Sequence, residues 1–316
     1  MVIAHWQQKA AFRYPRAGKQ LVTTLKRSRL CLLLRKIPFS ALGLALALVA
    51  ICSGCGGVGS HSSGVSSGSA LPSPAHVVIV MEENRSYSEI IGSSNAPYIN
   101  SLAAQSASFT QSFAITHPSL PNYLALFSGS TQGVTSDDCP LTFSATSLES
   151  ELAAADKSFT GYSEGLPTAG SMVCSAGEYD RNHVPWTDFS EDSSNNNQPF
   201  SSFPANSAYL PTVAFVVPDL LDDMHDGSIA QGDAWLQTNL SSYVNWAMNN
   251  NSVLIVTWDE DDGTENNQIP TIFVGQPVKA GQYSEKINHY NVLSTIESLY
   301  GLQNLSNTSA ITDVWK

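Results

Sequence analysis

The stretch His76-Val77-Val78-Ile79-Val80-Met81, followed at once by Glu82-Glu83-Asn84-Arg85-Ser86, decides the fold. Its first six residues are an unbroken apolar run rich in β-branched side chains after the leading histidine. Such a run suits a strand buried on both faces, as in the middle of a parallel sheet. The polar cluster then begins without a spacer. Open α/β sheets take their ligands beyond the carboxyl ends of their strands, so the same stretch marks a candidate site.

Short apolar runs of this kind recur at Ser158 to Tyr162, Thr212 to Val217, Val253 to Trp258 and Thr271 to Val274. Helical patterns separate them, at Pro97 to Ala107, Ser147 to Ala155, Gly232 to Met248 and Asn291 to Tyr300. This alternation predicts an α/β layered fold with a largely parallel central sheet. Ser163 to Phe203 has little regular pattern and reads as a lid or rim.

Upstream, the chain has a different character. Nine of the fifteen Lys and Arg residues precede Ser40, and no Asp or Glu occurs before Glu82. An apolar run from Ile37 to Ile51 and then Ser53-Gly54-Cys55 complete the pattern of an export signal. Ser53-Gly54-Cys55 resembles a lipoprotein processing site, with Cys52 where such sites carry Leu. The expected organisation is an export segment over 1–55, a Gly/Ser-rich tether over 56–74 and a single catalytic domain over 75–316. The expected location is periplasmic, secreted or lipid-anchored to the envelope. Beyond residue 40, six basic residues stand against 27 acidic ones, a formal balance of −21. That balance excludes nucleic-acid binding by phosphate neutralisation and leaves membrane contact to the N-terminal segment. Cys139 and Cys174 are the only cysteines of the body. An oxidising compartment favours their pairing over two buried thiols, and the loop would add about 3–4 kcal/mol.

Five constellations can carry chemistry. Glu82-Glu83-Asn84 offers hard oxygen ligands for a divalent cation. Asp259-Glu260-Asp261-Asp262 places four carboxylates in a row after a buried strand. Their repulsion is costly unless a cation, a helix N-terminus or water absorbs it; a solvated acidic turn ending at Gly263 is the plainer reading. Ser119, in Thr116-His117-Pro118-Ser119-Leu120-Pro121-Asn122-Tyr123, opens a helical run. It is either an N-cap or a hydroxyl set against an anion such as phosphate. Pro218-Asp219 to Asp222-Asp223-Met224-His225-Asp226 follows another strand, and His289 stands at a helix start. Mixed Asp and His sets suit zinc-like or manganese-like ions.

Four ordered segments, HVVIVMEENRSY (76–87), THPSLPNYLALFSGS (116–130), VTWDEDDG (256–263) and INHYNVL (287–293), resemble the bacterial phosphoesterase family. That family includes acid phosphatases and phosphatidylinositol-phosphate phosphatases, is related to the non-zinc phospholipases C, and belongs to the alkaline phosphatase superfamily. The resemblance covers nearly all of Ala75 to Leu302. It implies a three-layer α/β/α sandwich of alkaline phosphatase type. It implies that Glu83, Asn84, Asp259 and Glu260 hold a metal and that Ser119 is the nucleophile. Asp219, Asp223 and His225 fall where two-metal relatives build a second site, with Asp222 the alternative to Asp223. Asn122 belongs to a Pro-Asn pair after the nucleophile, and Arg181 and His183 resemble a phosphate-meeting signature of the phospholipase branch.

The implied reaction is hydrolysis of a phosphomonoester, a phosphoinositide among the candidates, through a phosphoserine. One or two divalent ions, calcium, magnesium, manganese or zinc, would activate Ser119. His117, His225 or His289 would move the proton of the leaving oxygen or of the attacking water. Two other readings stand beside it: a phospholipase C-like phosphodiesterase, and an inactive metal-stabilised surface-binding module.

Overall fold

The computed structural model describes residues 71–316. The export segment, Cys55 and most of the expected tether lie outside the described residues. Eight strands form one sheet: β1 (His76–Glu82), β2 (Ala107–Phe109), β3 (Phe159–Ser163), β4 (Asn197–Pro199), β5 (Val213–Val217), β6 (Ser252–Trp258), β7 (Thr271–Val274) and β8 (Gly281–Tyr283). Their order is β8-β2-β7-β6-β1-β5-β3-β4. All pairs are parallel except those that β7 makes with β6 and β2.

Five longer helices cover the two faces: α1 (Pro97–Gln105), α2 (Ser119–Ser128), α3 (Leu148–Ala154), α4 (Ile229–Ala247) and α5 (His289–Tyr300). Side chains alternate along a strand, so β1 feeds both layers. Val77, Ile79 and Met81 pack with α2, α3 and α5; Val78 and Val80 pack with α1 and α4. Each of these wholly buried Val or Ile side chains contributes about 1.5–3 kcal/mol. The layers are therefore α/β/α, as expected. Strand closeness also has a steric condition: a Cβ at Gly161 of β3 would overlap the Trp186 ring.

The differences from expectation are local. The first helix ends at Gln105, because Ser106 is extended and Ala107 begins a strand paired with β7. The Ser163 to Phe203 region is more than a rim: it adds edge strand β4 and sends Trp186 into the core. Cys139 and Cys174 are disulfide-bonded. Among the described residues no helix is long and apolar enough to cross a membrane.

The parallel order sets the site. β1 lies between β5 and β6, so the segments after all three carboxyl ends, Glu83-Asn84, Asp219–Asp226 and Asp259–Asp262, are neighbours. Backbone bonds lock them together, from Glu83 N–H to the Asp223 carbonyl (2.8 Å) and from Asp259 N–H to the Glu82 carbonyl (3.0 Å).

Buried acids elsewhere make the fold acid-tolerant. Burial foremost pushes Asp192 up to about 7; Glu149 and Glu191 add like charge, against a hydrogen bond from the Ser147 hydroxyl. Burial likewise pushes Glu297 up to about 7. Unfolded carboxyls titrate near 4. A raised folded pKa means the native state holds protons that the unfolded chain has lost. The associated stability is complete below about pH 4 and is lost as pH rises through 7. Metal-free protein should therefore melt at a lower temperature at pH 8 than at pH 5, and Asp192→Asn should flatten the slope. Calorimetry showing a higher melting temperature at pH 8 would contradict this.

Candidate active site

Ser119 does not cap its helix. Pro118 occupies the cap position, and the Ser119 hydroxyl donates instead to Glu83 Oε2 at 3.1 Å. Ser119 is 4% exposed, and every residue of α2 is buried. One turn further on, the Tyr123 hydroxyl donates to Glu83 Oε1 at 2.6 Å. Residues four apart share a helix face, so Ser119 and Tyr123 grip the two oxygens of one carboxylate.

Glu83 is the first residue beyond β1 and is wholly buried. Burial raises its pKa well above the usual carboxylate range, and the charges of Asp259 and Asp223 add to the effect. Asn84, next in sequence, takes a left-handed backbone at φ 51°, a conformation Asn tolerates better than most residues. Its N–H thereby donates to Asp259 Oδ1 at 3.1 Å. The other oxygen of Asp259 is buried without a partner. Burial raises the Asp259 pKa, against the Asn84 N–H, the Ser119 hydroxyl and the His183 charge.

His183 completes this centre. Its Nε2 lies 3.3 Å from Glu83 Oε1 and its Nδ1 3.5 Å from Asp223 Oδ2. The ring stacks on Tyr123 with centroids 5.1 Å apart. Burial disfavours its charge, yet the bond and charge of Asp223, with Asp259 and Asp180, outweigh that and raise its pKa. Glu83, His183 and Asp223 each bring a ligand atom within 4.8 Å of the others.

A cleft of about 330 Å³ lies at the same edge, lined by Asn84, Arg85, His117, Glu260, Asp261 and Gly263 among others. His117, 45% exposed, stands between two acids, with Nδ1 3.0 Å from Glu260 Oε2 and Nε2 3.2 Å from Asp261 Oδ1. Burial, and then the charges of Asp259, Asp137 and Asp261, push Glu260 up to about 9. Asp261 accepts the N–H groups of Gly263, Glu265 and Asn267, which shapes the acidic turn.

Several expected residues have other places. Asn122 is buried and its amide is engaged by the protein: it accepts from Ile115 and Thr116 N–H and donates to the Thr116 and Pro118 carbonyls and to Glu260. It holds the loop before Ser119. Arg181 is committed to Thr187, Asp188 and the Met172 carbonyl, so it secures the fold near His183 and its guanidinium is bound to these groups. His183 joins the carboxylates. Asp219 and Asp223 do not share one site, because Asp219 groups with Glu164 and Asp222. His225 stays at the rim of the centre: it is exposed and pairs with Asp226 at 2.8 Å, its backbone N–H donates to Asp223 Oδ1, and its ring centroid lies 6.0 Å from that of His183. The Nε2–H of His289 donates to the Asp259 carbonyl at 2.7 Å, and burial lowers its pKa to about 4. His289 is thus neutral in mild acid and steadies the Asp259 backbone. Tyr123 was not anticipated; its spacing from Ser119 was the available signal.

Glu83, bonded to the Ser119 hydroxyl, lies with Asp259 and Asp223 in one buried acidic centre, and His183 is the imidazole between Glu83 and Asp223. Buried carboxylates with unpartnered oxygens need a proton or a cation. The donor set, oxygens with one imidazole, fits a divalent metal.

The profile of the phosphoesterase family matches residues 93–303. A phosphatidylinositol-3-phosphatase of Mycobacterium tuberculosis is 58% identical over 253 residues, covering 78% of this chain and 85% of that protein. An acid phosphatase of Aspergillus fumigatus is 27% identical over 244 residues, covering 71% of this chain and 54% of that protein. The chain thus spans about half the length of the fungal acid phosphatases it matches. Among solved structures, the lipoteichoic acid synthase LtaP of Listeria monocytogenes superposes with TM-score 0.54 at 10% identity, covering 77% of this chain and 74% of that one. A Vibrio parahaemolyticus protein of the alkaline phosphatase superfamily gives TM-score 0.50 at 13% identity, covering 73% and 67%. At such identities the likeness is one of fold, and the fold is that of the alkaline phosphatase superfamily.

Proposed function

The chain belongs to the phosphoesterase family, hydrolases of phosphoric esters, and from that membership we propose a metal-dependent phosphomonoesterase with Ser119 as nucleophile. The observation that carries this reading is the Ser119 hydroxyl aimed at the buried Glu83 carboxylate, with Asp259 and Asp223 beside it. Glu83, Asp223, Asp259 and His183 would hold the ion. Bound there, a divalent cation supplies a Lewis acid that lowers the pKa of the hydroxyl and polarises the phosphate.

The residues perform the rest. Ser119 Oγ attacks phosphorus, the P–O bond to the alcohol breaks, and a phosphoserine remains. The Ser119 proton passes to Glu83 Oε2, its hydrogen-bond acceptor, while Tyr123 keeps that carboxylate oriented, and it returns to Ser119 Oγ when the serine leaves phosphorus. His117, at the cleft and backed by Glu260, gives a proton to the departing oxygen and then takes one from the incoming water. That water releases inorganic phosphate and restores Ser119. A phosphoinositide monoester is the proposed substrate class, on the strength of the mycobacterial relative. Export of the protein is also proposed. It rests on the N-terminal sequence and accords with the Cys139–Cys174 disulfide, which suits an oxidising compartment.

The test is hydrolysis of p-nitrophenyl phosphate and of a short-chain phosphatidylinositol 3-phosphate, before and after chelation. Chelated protein should lose turnover on both, and restored metal should return it. Turnover indifferent to chelator would remove the metal from the reaction. Activity confined to phosphodiesters would favour the phospholipase C-like alternative.

A further inference from the structure

Glu82, the last residue of β1, is wholly buried, and neither of its carboxylate oxygens has a hydrogen-bond partner. It does not belong to the Ser119 centre. Strand alternation sends Met81 and Glu83 to the α2 face, and sends Val80 and Glu82 to the face covered by α4. Val80 packs there with Met224, Trp235 and Leu236.

Three further acids meet on that α4 side. Tyr162 of β3 packs on it, and Glu164 lies two residues beyond Tyr162. Asp222 accepts a hydrogen bond from Gln231, in the first turn of α4, at 3.0 Å. Glu164 accepts from Asp219 N–H at 3.2 Å, and Asp219 accepts from Leu221 and Asp222 N–H at 3.1 Å each. Glu164, Asp219 and Asp222 each bring a carboxylate oxygen within 4.8 Å of the other two. Val80 of β1 and Tyr162 of β3 both lie opposite Val216 of β5, so Glu82 and Glu164, two residues further along their strands, flank the end of β5 on the same α4-covered face. Asp233 is satisfied separately, by the N–H groups of Tyr98 and Ile99. Among the described residues, none of Glu82, Glu164, Asp219 and Asp222 pairs with a Lys, Arg or His.

We propose that Glu164, Asp219 and Asp222, backed by the buried and unpartnered Glu82, form a second cation site, distinct from the Ser119 centre. An all-oxygen set of this kind suits a hard divalent ion of the calcium class. The four acids come from the ends of three strands, β1, β3 and β5. The site would fasten the end of β3 to the Asp219–Asp226 loop, and the same loop delivers Asp223 to the Ser119 centre. Close packing already holds that loop: a Cβ at Gly227 would overlap the Leu221 carbonyl, and Arg85 donates to the Met224 and Gly227 carbonyls. The ion would act by holding a loop. It takes no part in the proposed chemistry, so its presence can be tested whether or not that chemistry is right.

The experiment is titration of chelator-treated full-length protein with calcium chloride, by isothermal calorimetry and elemental analysis. Wild-type protein is expected to bind two ions per chain. The double variant Glu164→Gln/Asp222→Asn should bind one and keep turnover of p-nitrophenyl phosphate at saturating metal. It should also lose part of the calcium-induced rise in melting temperature, because an ion that binds only the native state stabilises it by mass action. A converse variant, Asp259→Asn, damages the other centre and should still bind one calcium at this site. An unchanged stoichiometry in the double variant overturns the proposal. So does an Asp259→Asn protein that binds none, a measurement that stands even if the double variant fails to fold.

Discussion

Ser119→Ala is expected to lower kcat for p-nitrophenyl phosphate by at least about a thousandfold while leaving the fold intact. The size follows from the loss of a covalent route. A thousandfold loss corresponds to about 4 kcal/mol of barrier, and removing a nucleophile outright commonly costs more than that. The structural cost is far smaller. Ser119 makes one side-chain hydrogen bond, to Glu83, and a net hydrogen bond is worth about 1 kcal/mol. Glu83 keeps its second donor, Tyr123, so it is not left bare. Circular dichroism and calcium stoichiometry should therefore be near those of wild type. Acid-quenched wild-type protein, pulsed with labelled substrate, should carry phosphate on Ser119, and the variant should carry none. Near-normal kcat in the variant would place the nucleophile elsewhere.

Much of this arrangement is legible in the residues, and its limits have physical causes. The β-branched runs marked the strands, because a strand buried on both faces has no polar positions to hide it. The polar clusters directly after β1, β5 and β6 marked the active edge, because parallel strands deliver all three carboxyl ends together. Which acid of a cluster enters the site is decided by face. Glu82 and Glu83 look alike in sequence, yet pleat alternation from Val77 onward sends only Glu83 toward Ser119. Asp219 and Asp223 separate for a different reason: turns within the loop send Asp219 to Glu164 and Asp222 and send Asp223 to Glu83 and His183, and no periodicity records a turn. Arg181 is expected to meet the phosphate only from its resemblance to the phospholipase-branch signature. Asp188, seven residues on, captures it instead, and that local pairing depends on the short helical turns between them. Strand β4 was illegible because Asn197-Gln198-Pro199 has no strand-forming side chains; edge position alone makes it a strand.

Asp259→Asn should weaken metal binding at the Ser119 centre by about ten- to a hundredfold or more, comparable at least to loss of an outer partner of a metal ligand. kcat/KM should fall with it. The substitution is nearly isosteric. Asn Oδ1 can still accept the Asn84 N–H, and the new amide can donate to Glu83, where wild-type Asp259 Oδ2 has no partner. Charge is what changes. In metal-free protein Glu83, Asp223 and Asp259 are buried together, and the Asp259 pKa is raised, foremost by that burial. A raised carboxyl pKa favours the fold at low pH and disfavours it as pH rises through the folded value. Metal-free Asp259→Asn should accordingly melt at or above the wild-type temperature at pH 8, and the advantage should shrink toward pH 4. With metal added the order should reverse, since wild type gains the binding energy and the variant does not. That crossing separates a ligand from a merely structural acid, whose loss would lower stability with or without the ion. An unchanged metal content in the variant by elemental analysis would remove Asp259 from the ligand set.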